Sequence, residues 1–274
     1  MPVALLVRHG RTTSNVSGTL AGWSEGVGLD ATGQEQVRAL AGRLSGVPVV
    51  RLVCSPLQRC QETAQLLQEA LGGLPVTTDE GIGECWYGGW TGRSLSELAK
   101  EPLWRTVQDQ PSAARFPEDD AYRSESIGEM AVRAVSAVRR HDAEVAAEHG
   151  PDALWMAVSH GDVLKAVVSD AAGAHLDEFQ RIMIDPASLS VIRYTARRPF
   201  VVRVNDFGTD LRALVPPPRS EAVTGEAPGD AAGQPGVAAG DPGDGGDPGG
   251  PGDPDGAAGE AIVGGGAGVD IPGD

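Results

Sequence analysis

Two histidines and two arginines stand at points where this chain changes character. Arg8-His9-Gly10 closes the apolar run at residues 3–7. Ser55-Pro56-Leu57-Gln58-Arg59 follows a second apolar run, 49–54, and Ser159-His160-Gly161 closes a third, 154–159. Guanidinium groups are planar donor forks that match phosphate oxygens. A histidine beside them can act as a nucleophile, and a second can hold the phosphoryl group or move a proton. Helices opening directly after such loops add backbone N–H donors for an anion.

These residues converge only if the elements behind them form one sheet. The three apolar runs read as buried strands. Thr32-x-x-Glu35 has the form of a capping box before Val37, Leu40, Ala41 and Leu44, which share one helix face. A helix after Ser55-Pro56 presents Ala64, Leu67, Ala70 and Leu71. Residues 74–77 read as a third strand. Ser126-x-x-Glu129 is a further capping box, opening a long helix to about His149. Residues 163–172 read as helix, and 188–194 with 200–205 as a closing hairpin. Strands alternating with helices predict a three-layer α/β/α sandwich with a mainly parallel sheet. In such sheets ligands bind beyond the carboxyl ends of the strands, which is where the histidines and arginines fall. The stretch 81–125 is less regular and carries Trp86, Tyr87, Trp90 and Trp104.

The motifs also carry a resemblance. Leu6-Val7-Arg8-His9-Gly10-Arg11-Thr12-x-x-Asn15 resembles the signature of the histidine phosphatase superfamily, the phosphoglycerate mutase-like proteins. Ser55-Pro56-Leu57-x-Arg59-x-x-x-Thr63-Ala64 resembles its second motif, and Glu84-x-x-Tyr87-Gly88-x-Trp90-x-Gly92 its acid-bearing segment. Ser159-His160-Gly161 resembles its last motif. The four occur in order across residues 3–205. The resemblance implies that His9 is the nucleophile and becomes a phosphohistidine. It implies that Arg8, Arg59 and His160, with Asn15 and Gly161, hold the phosphoryl group. It makes Glu84 the acid that protonates the leaving oxygen and then the base that activates water. No metal or other cofactor is called for, because the arginines take the metal's place.

Some features depart from that pattern. The family often has Gln or Glu where this chain has Arg11, and an aromatic residue where it has Ser14. Arg11 reads equally as a rim cation or as a solvated side chain. The mutases carry an arginine pair after the acid that grips a carboxylated substrate. Residues 93–125 offer only the separate Arg93, Arg105, Arg115 and Arg123. The expectation is therefore a metal-independent phosphomonoesterase acting on a small phosphorylated metabolite. A phosphomutase of the same superfamily and a noncatalytic phospholigand-binding module are the alternatives. Retention of Glu84 speaks against the module, since binding alone needs no acid. Trp86 and Trp90 read as packing residues, the three cysteines as small apolar ones, and His141, His149 and His175 as surface residues.

Composition sets the outer limits. Net charge is −16 over 274 residues, a poor balance for nonspecific attachment to nucleic acid or anionic membrane. No apolar run approaches the length of a membrane span, and the N-terminus lacks a basic leader. Three cysteines, 54, 60 and 85, favour a reducing cytoplasm over a disulfide framework. Arginine outnumbers lysine, which occurs only at 100 and 165, a bias expected of a GC-rich bacterial genome. Residues 216–274 hold 18 Gly, 10 Pro, 11 acids and the single base Arg219, with no aromatic. Such a segment cannot bury enough apolar surface to offset its ordering entropy. The expected organisation is a phosphatase domain over 1–215 and a disordered acidic tail over 216–274.

Overall fold

The structure, a computed structural model, describes residues 2–208. The expected tail, and the boundary at 215, lie outside the described residues. In chain order the regular elements are β1 (Val3–Arg8), α1 (Thr13–Ser17), α2 (Ala31–Arg43), β2 (Val49–Cys54), α3 (Gln58–Ala70) and β3 (Val76–Thr78). They continue with α4 (Leu95–Leu98), α5 (Pro102–Asp109), α6 (Ile127–His149), β4 (Leu154–Ser159), α7 (Gly161–Ala172), β5 (Leu189–Arg193) and β6 (Phe200–Asp206).

The strands form one six-stranded sheet in the order β3-β2-β4-β1-β5-β6. The first four are mutually parallel, whereas β5 runs antiparallel to β1 and β6 antiparallel to β5. Period-two alternation then sends side chains to two cores. Ala4, Leu6, Val53, Trp155 and Ala157 face the α6 and α7 side with Met130, Ala134 and Val167. Leu5, Val7, Leu52, Cys54, Met156 and Val158 face α2 and α3, meeting Val37, Leu40, Ala64 and Leu67. This is the three-layer sandwich that the alternating pattern predicts.

Three local expectations are corrected. Asp30, not Thr32, is the N-cap of α2: its Oδ1 accepts from Gly33 N at 2.7 Å and its Oδ2 from Arg11 Nε at 2.9 Å. The reason is a close approach. A Cβ on Gly33 would lie 2.1 Å from the Arg11 carbonyl oxygen, so the helix start is set by its contact with the loop after β1. The third strand is displaced to 76–78, and Ala70 on α3 is exposed. His141 is buried rather than superficial. Its Nε2 lies 2.7 Å from Asp79 Oδ2, and its ring packs 5.8 Å from that of Trp155. His149 and His175 are exposed. Ser126 caps α6 with Glu129 as the pattern predicts, and the three cysteines are buried and free.

Candidate active site

The carboxyl ends of β1, β2 and β4 place their loops side by side because these strands are neighbours in the sheet. His9 follows β1 and donates its N–H to the Ser159 carbonyl at the end of β4. His160 follows β4, and Arg59 lies in the first turn of α3 beyond β2. The two imidazole rings stand 5.3 Å apart at 61°. These three groups and Arg8 are buried to 2 % exposure or less.

One hydrogen bond decides what His9 can do. Its Nδ1 lies 2.8 Å from its neighbour Gly10's carbonyl oxygen. A carbonyl only accepts, so Nδ1 carries the proton and Nε2 keeps its lone pair. Burial, followed by the charges of Arg59 and Arg8, holds His9 well below the ordinary histidine value. The ring is therefore neutral and nucleophilic at Nε2 near pH 7. Gly10 is itself fixed, with its N–H bonded to Thr63 Oγ1 at 3.1 Å. His160 is also held well below the usual range, by burial and then by Arg59. Its Nε2 shares a 2.7 Å hydrogen bond with Ser55 Oγ, and its other face meets Cys60 Sγ.

The arginines are tied down from behind. Arg8 Nη1 donates to the Ile184 carbonyl at 2.7 Å, and Arg59 Nη2 to that of Gly22 at 2.9 Å. Asn15 does double duty. Its Oδ1 accepts from Thr12 N and Oγ1 at 3.0 and 2.9 Å, closing the capping box of α1, while the residue also lines the cleft. With its oxygen so committed, its amide nitrogen is the end that remains to serve as a donor toward other groups.

Glu84 belongs to no strand. It sits in an irregular arm after the turn Glu80–Ile82, which Asp79 caps. Arg133 on α6 donates to the carbonyls of Gly81, Gly83 and Glu84 at 3.1, 2.8 and 2.7 Å, and also grips Glu125. Trp23 Nε1 takes the second lone pair of the Glu84 carbonyl at 2.8 Å. The carboxyl so positioned lies 3.5 Å from His160 Nδ1 and 3.7 Å from Arg59 Nη2. Burial, reinforced by Asp162 and opposed by Arg59, pushes it up to about 7.

His9, Asn15, Arg59 and Glu84 share one cleft, walled further by Thr12, Ser14, Thr19, Leu20 and Leu95. Arg8, His160 and Gly161 are buried and are not among the residues lining this cleft; His160 stands against His9 and Glu84, and Gly161 opens α7 directly after it. Arg11 is neither rim cation nor solvated, since Asp30 pairs with it and only 17 % of its side chain is exposed. Trp90 packs against Phe116 and Trp104. Trp86 stacks on Trp23 at 3.6 Å beneath Arg123. Sequence reasoning missed Trp23, Arg133, Tyr87 and Asp162 as supports of Glu84. Asp162 had a signal, its place directly after Ser159-His160-Gly161. Arg133 had none, being one helical arginine among several. Among the described residues, no group of three or more His, Cys, Asp or Glu is gathered as a metal ion would require.

The model of the histidine phosphatase superfamily (branch 1) matches residues 4–207. The chain belongs to that superfamily. Among curated superfamily relatives, it is 30% identical to a probable phosphoglycerate mutase of Yersinia enterocolitica, over 69% of this chain and 83% of that protein. It is 27% identical to a 2,3-bisphosphoglycerate-dependent phosphoglycerate mutase of Caulobacter vibrioides, over 70% and 89%. Among solved structures, the α-ribazole phosphatase of Shigella flexneri superposes with a TM-score of 0.65 at 24% identity, over 75% of this chain and 97% of that one. These superfamily enzymes include both phosphatases and mutases, on the same fold.

Proposed function

We propose that this protein is a metal-independent phosphomonoesterase that works through a phosphohistidine at His9. The observation that carries the reading is the Nδ1–Gly10 hydrogen bond, which leaves a neutral Nε2 lone pair beside fixed guanidinium groups. In the first step Nε2 attacks phosphorus and the phosphorus–oxygen ester bond breaks. The leaving oxygen keeps the bonding pair and takes the Glu84 proton. Arg8, Arg59, His160, Asn15 and the Gly161 N–H at the start of α7 bind the phosphoryl oxygens, where their charges and dipoles stabilise the transition state. In the second step a water gives its proton to the Glu84 carboxylate and attacks phosphorus. The phosphorus–nitrogen bond breaks and its pair returns to Nε2, releasing phosphate.

The substrate is a small phosphate ester with an uncharged, hydroxyl-bearing leaving group. Ser14, Thr19, Leu20 and Leu95 wall the cleft beyond Glu84, a surface suited to hydroxyl and CH groups. The nearby arginines are engaged elsewhere: Arg93 with Glu101, Arg105 with Asp109, Arg115 with Glu129, and Arg123 over Trp86. The mutase reading has support in the sequence relatives. It predicts phosphate exchange between substrate positions in place of net release. The buried free thiols suit a reducing cytoplasm, where the protein is placed by this reading. No helix of the described residues is long and apolar enough to cross a membrane. The test is phosphate release, with chelator present, across polyol and sugar phosphates, nucleotides and phosphoglycerates. Release from the uncharged esters is expected. Exchange from a bisphosphorylated primer without net release would establish the mutase.

A further inference from the structure

Beneath Glu84 runs a buried chain of polar groups to which the proposed reaction gives no role. Tyr87 Oη lies 3.4 Å from Glu84 Oε1 and donates to Asp162 Oδ2 at the shorter distance of 2.8 Å. Asp162 Oδ1 pairs with Lys165 Nζ at 3.4 Å, and Lys165 donates to Gln180 Oε1 at 3.0 Å. Tyr87 and Lys165 are 0 % and 2 % exposed, and Asp162 is 2 % exposed. Lys165 is one of only two lysines in the chain. An ion pair in such a place is costly to desolvate and is weak as a source of stability.

We propose that the Asp162–Lys165 pair, acting through Tyr87, is the positioning device that keeps the Glu84 carboxyl in its proton-bearing form. A phenol has one proton. With that proton committed to Asp162, Tyr87 turns oxygen lone pairs, not a donor, toward Glu84. A carboxylate there gains no hydrogen bond from Tyr87, whereas a carboxylic acid can donate to it. Lys165, paired with Oδ1, fixes the Asp162 carboxyl with Oδ2 turned to the phenol, and so holds the phenol proton in place. The other groups facing Glu84 are Arg59 and His160 at its second oxygen, the Cys85 N–H at the first, and Arg8. Arg59, Arg8 and the N–H favour the carboxylate; burial opposes them first, and the charge of Asp162 adds to burial.

The inference rests on Glu84 being the acid, so the experiment separates the two claims. Asp162→Asn leaves Lys165 buried without its partner and risks unfolding. The double variant Asp162→Leu/Lys165→Met replaces the pair by apolar groups of similar size and leaves the phenol proton no acceptor there. Single-turnover alcohol release from a polyol phosphate, followed against pH, reads the protonated acid directly. In the double variant the Tyr87 proton is free to turn to Glu84, and the alkaline limb should move to lower pH by about one unit. Release from p-nitrophenyl phosphate, whose leaving group needs little protonation, should stay within about threefold. A limb that stays in place in a folded variant overturns the proposal, as does an equal loss on both substrates. Glu84→Gln serves as the control. If it fails to discriminate the two leaving groups, the acid assignment itself falls. If it discriminates while the double variant leaves the limb unmoved, only the Asp162–Lys165 inference falls.

Discussion

The floor of the cleft and its acidic arm are built by different means. On the floor, Arg8 ends a strand and His9, Arg59 and His160 each follow one, so the sheet's hydrogen bonds set their relative positions. The arm that carries Glu84 has no ladder. Its carbonyls are held by Arg133, Trp23 and a turn capped by Asp79. The two regions also differ electrically. On the floor, burial and then the neighbouring cations hold His9 and His160 below the ordinary histidine range, while in the arm burial, reinforced by Asp162, pushes the Glu84 carboxyl up to about 7. The proposed nucleophile and the proposed acid require opposite treatments, and floor and arm differ in that sense.

The sharpest way to break this contrast is to remove the floor's reactive atom. His9→Ala should lower kcat by about 10³-fold or more, and phosphate trapped by rapid quench, labile to acid, should disappear with it. Substantial phosphate release by that variant would remove the nucleophile from the floor. Glu84→Gln keeps the arm's shape but can neither give nor take a proton. It should slow turnover of alkyl phosphates by roughly 10²–10⁴-fold and of p-nitrophenyl phosphate much less. In the wild type the acid is needed protonated, so leaving-group release should fall as pH rises through about 7. His9 is needed neutral and its value is depressed, so no acid limb should appear near the ordinary histidine range.

Arg133→Met tests whether the arm depends on distant anchors. It removes donors from three carbonyls and a partner from Glu125, with no hydrogen bond to a floor residue lost among those of the described residues. A displacement of Glu84 on the order of 1 Å should cost roughly 10²-fold in kcat, with phosphate inhibition almost unchanged. An equal weakening of phosphate binding would show that floor and arm are not separable. The smallest effect is expected from truncation after Val215, because residues 216–274 lack the apolar content to join either core. Melting temperature and kcat should hold. A modest gain in kcat/KM for anionic substrates at low salt should vanish near physiological ionic strength.

What the sequence determined by itself was the floor and the order of the layers. Apolar runs ending in Arg8-His9-Gly10 and Ser159-His160-Gly161 announce strand ends, and strand ends in a parallel sheet share one edge, so local pattern implies global position. Ser126 and Glu129 cap α6 with an interaction confined to one turn, which is equally legible. The tertiary structure alone decided the rest. Asp30 displaced Thr32 as a cap because the Arg11 backbone presses on Gly33. His141 went inside because Asp79, 62 residues away, offers it a partner. The setting of Glu84 depends on Trp23, Arg133 and Asp162, at separations of 61, 49 and 78 residues. No periodicity encodes such contacts. They exist only once the cores have closed and the low dielectric of the interior makes a single carboxyl's neighbours decide its charge.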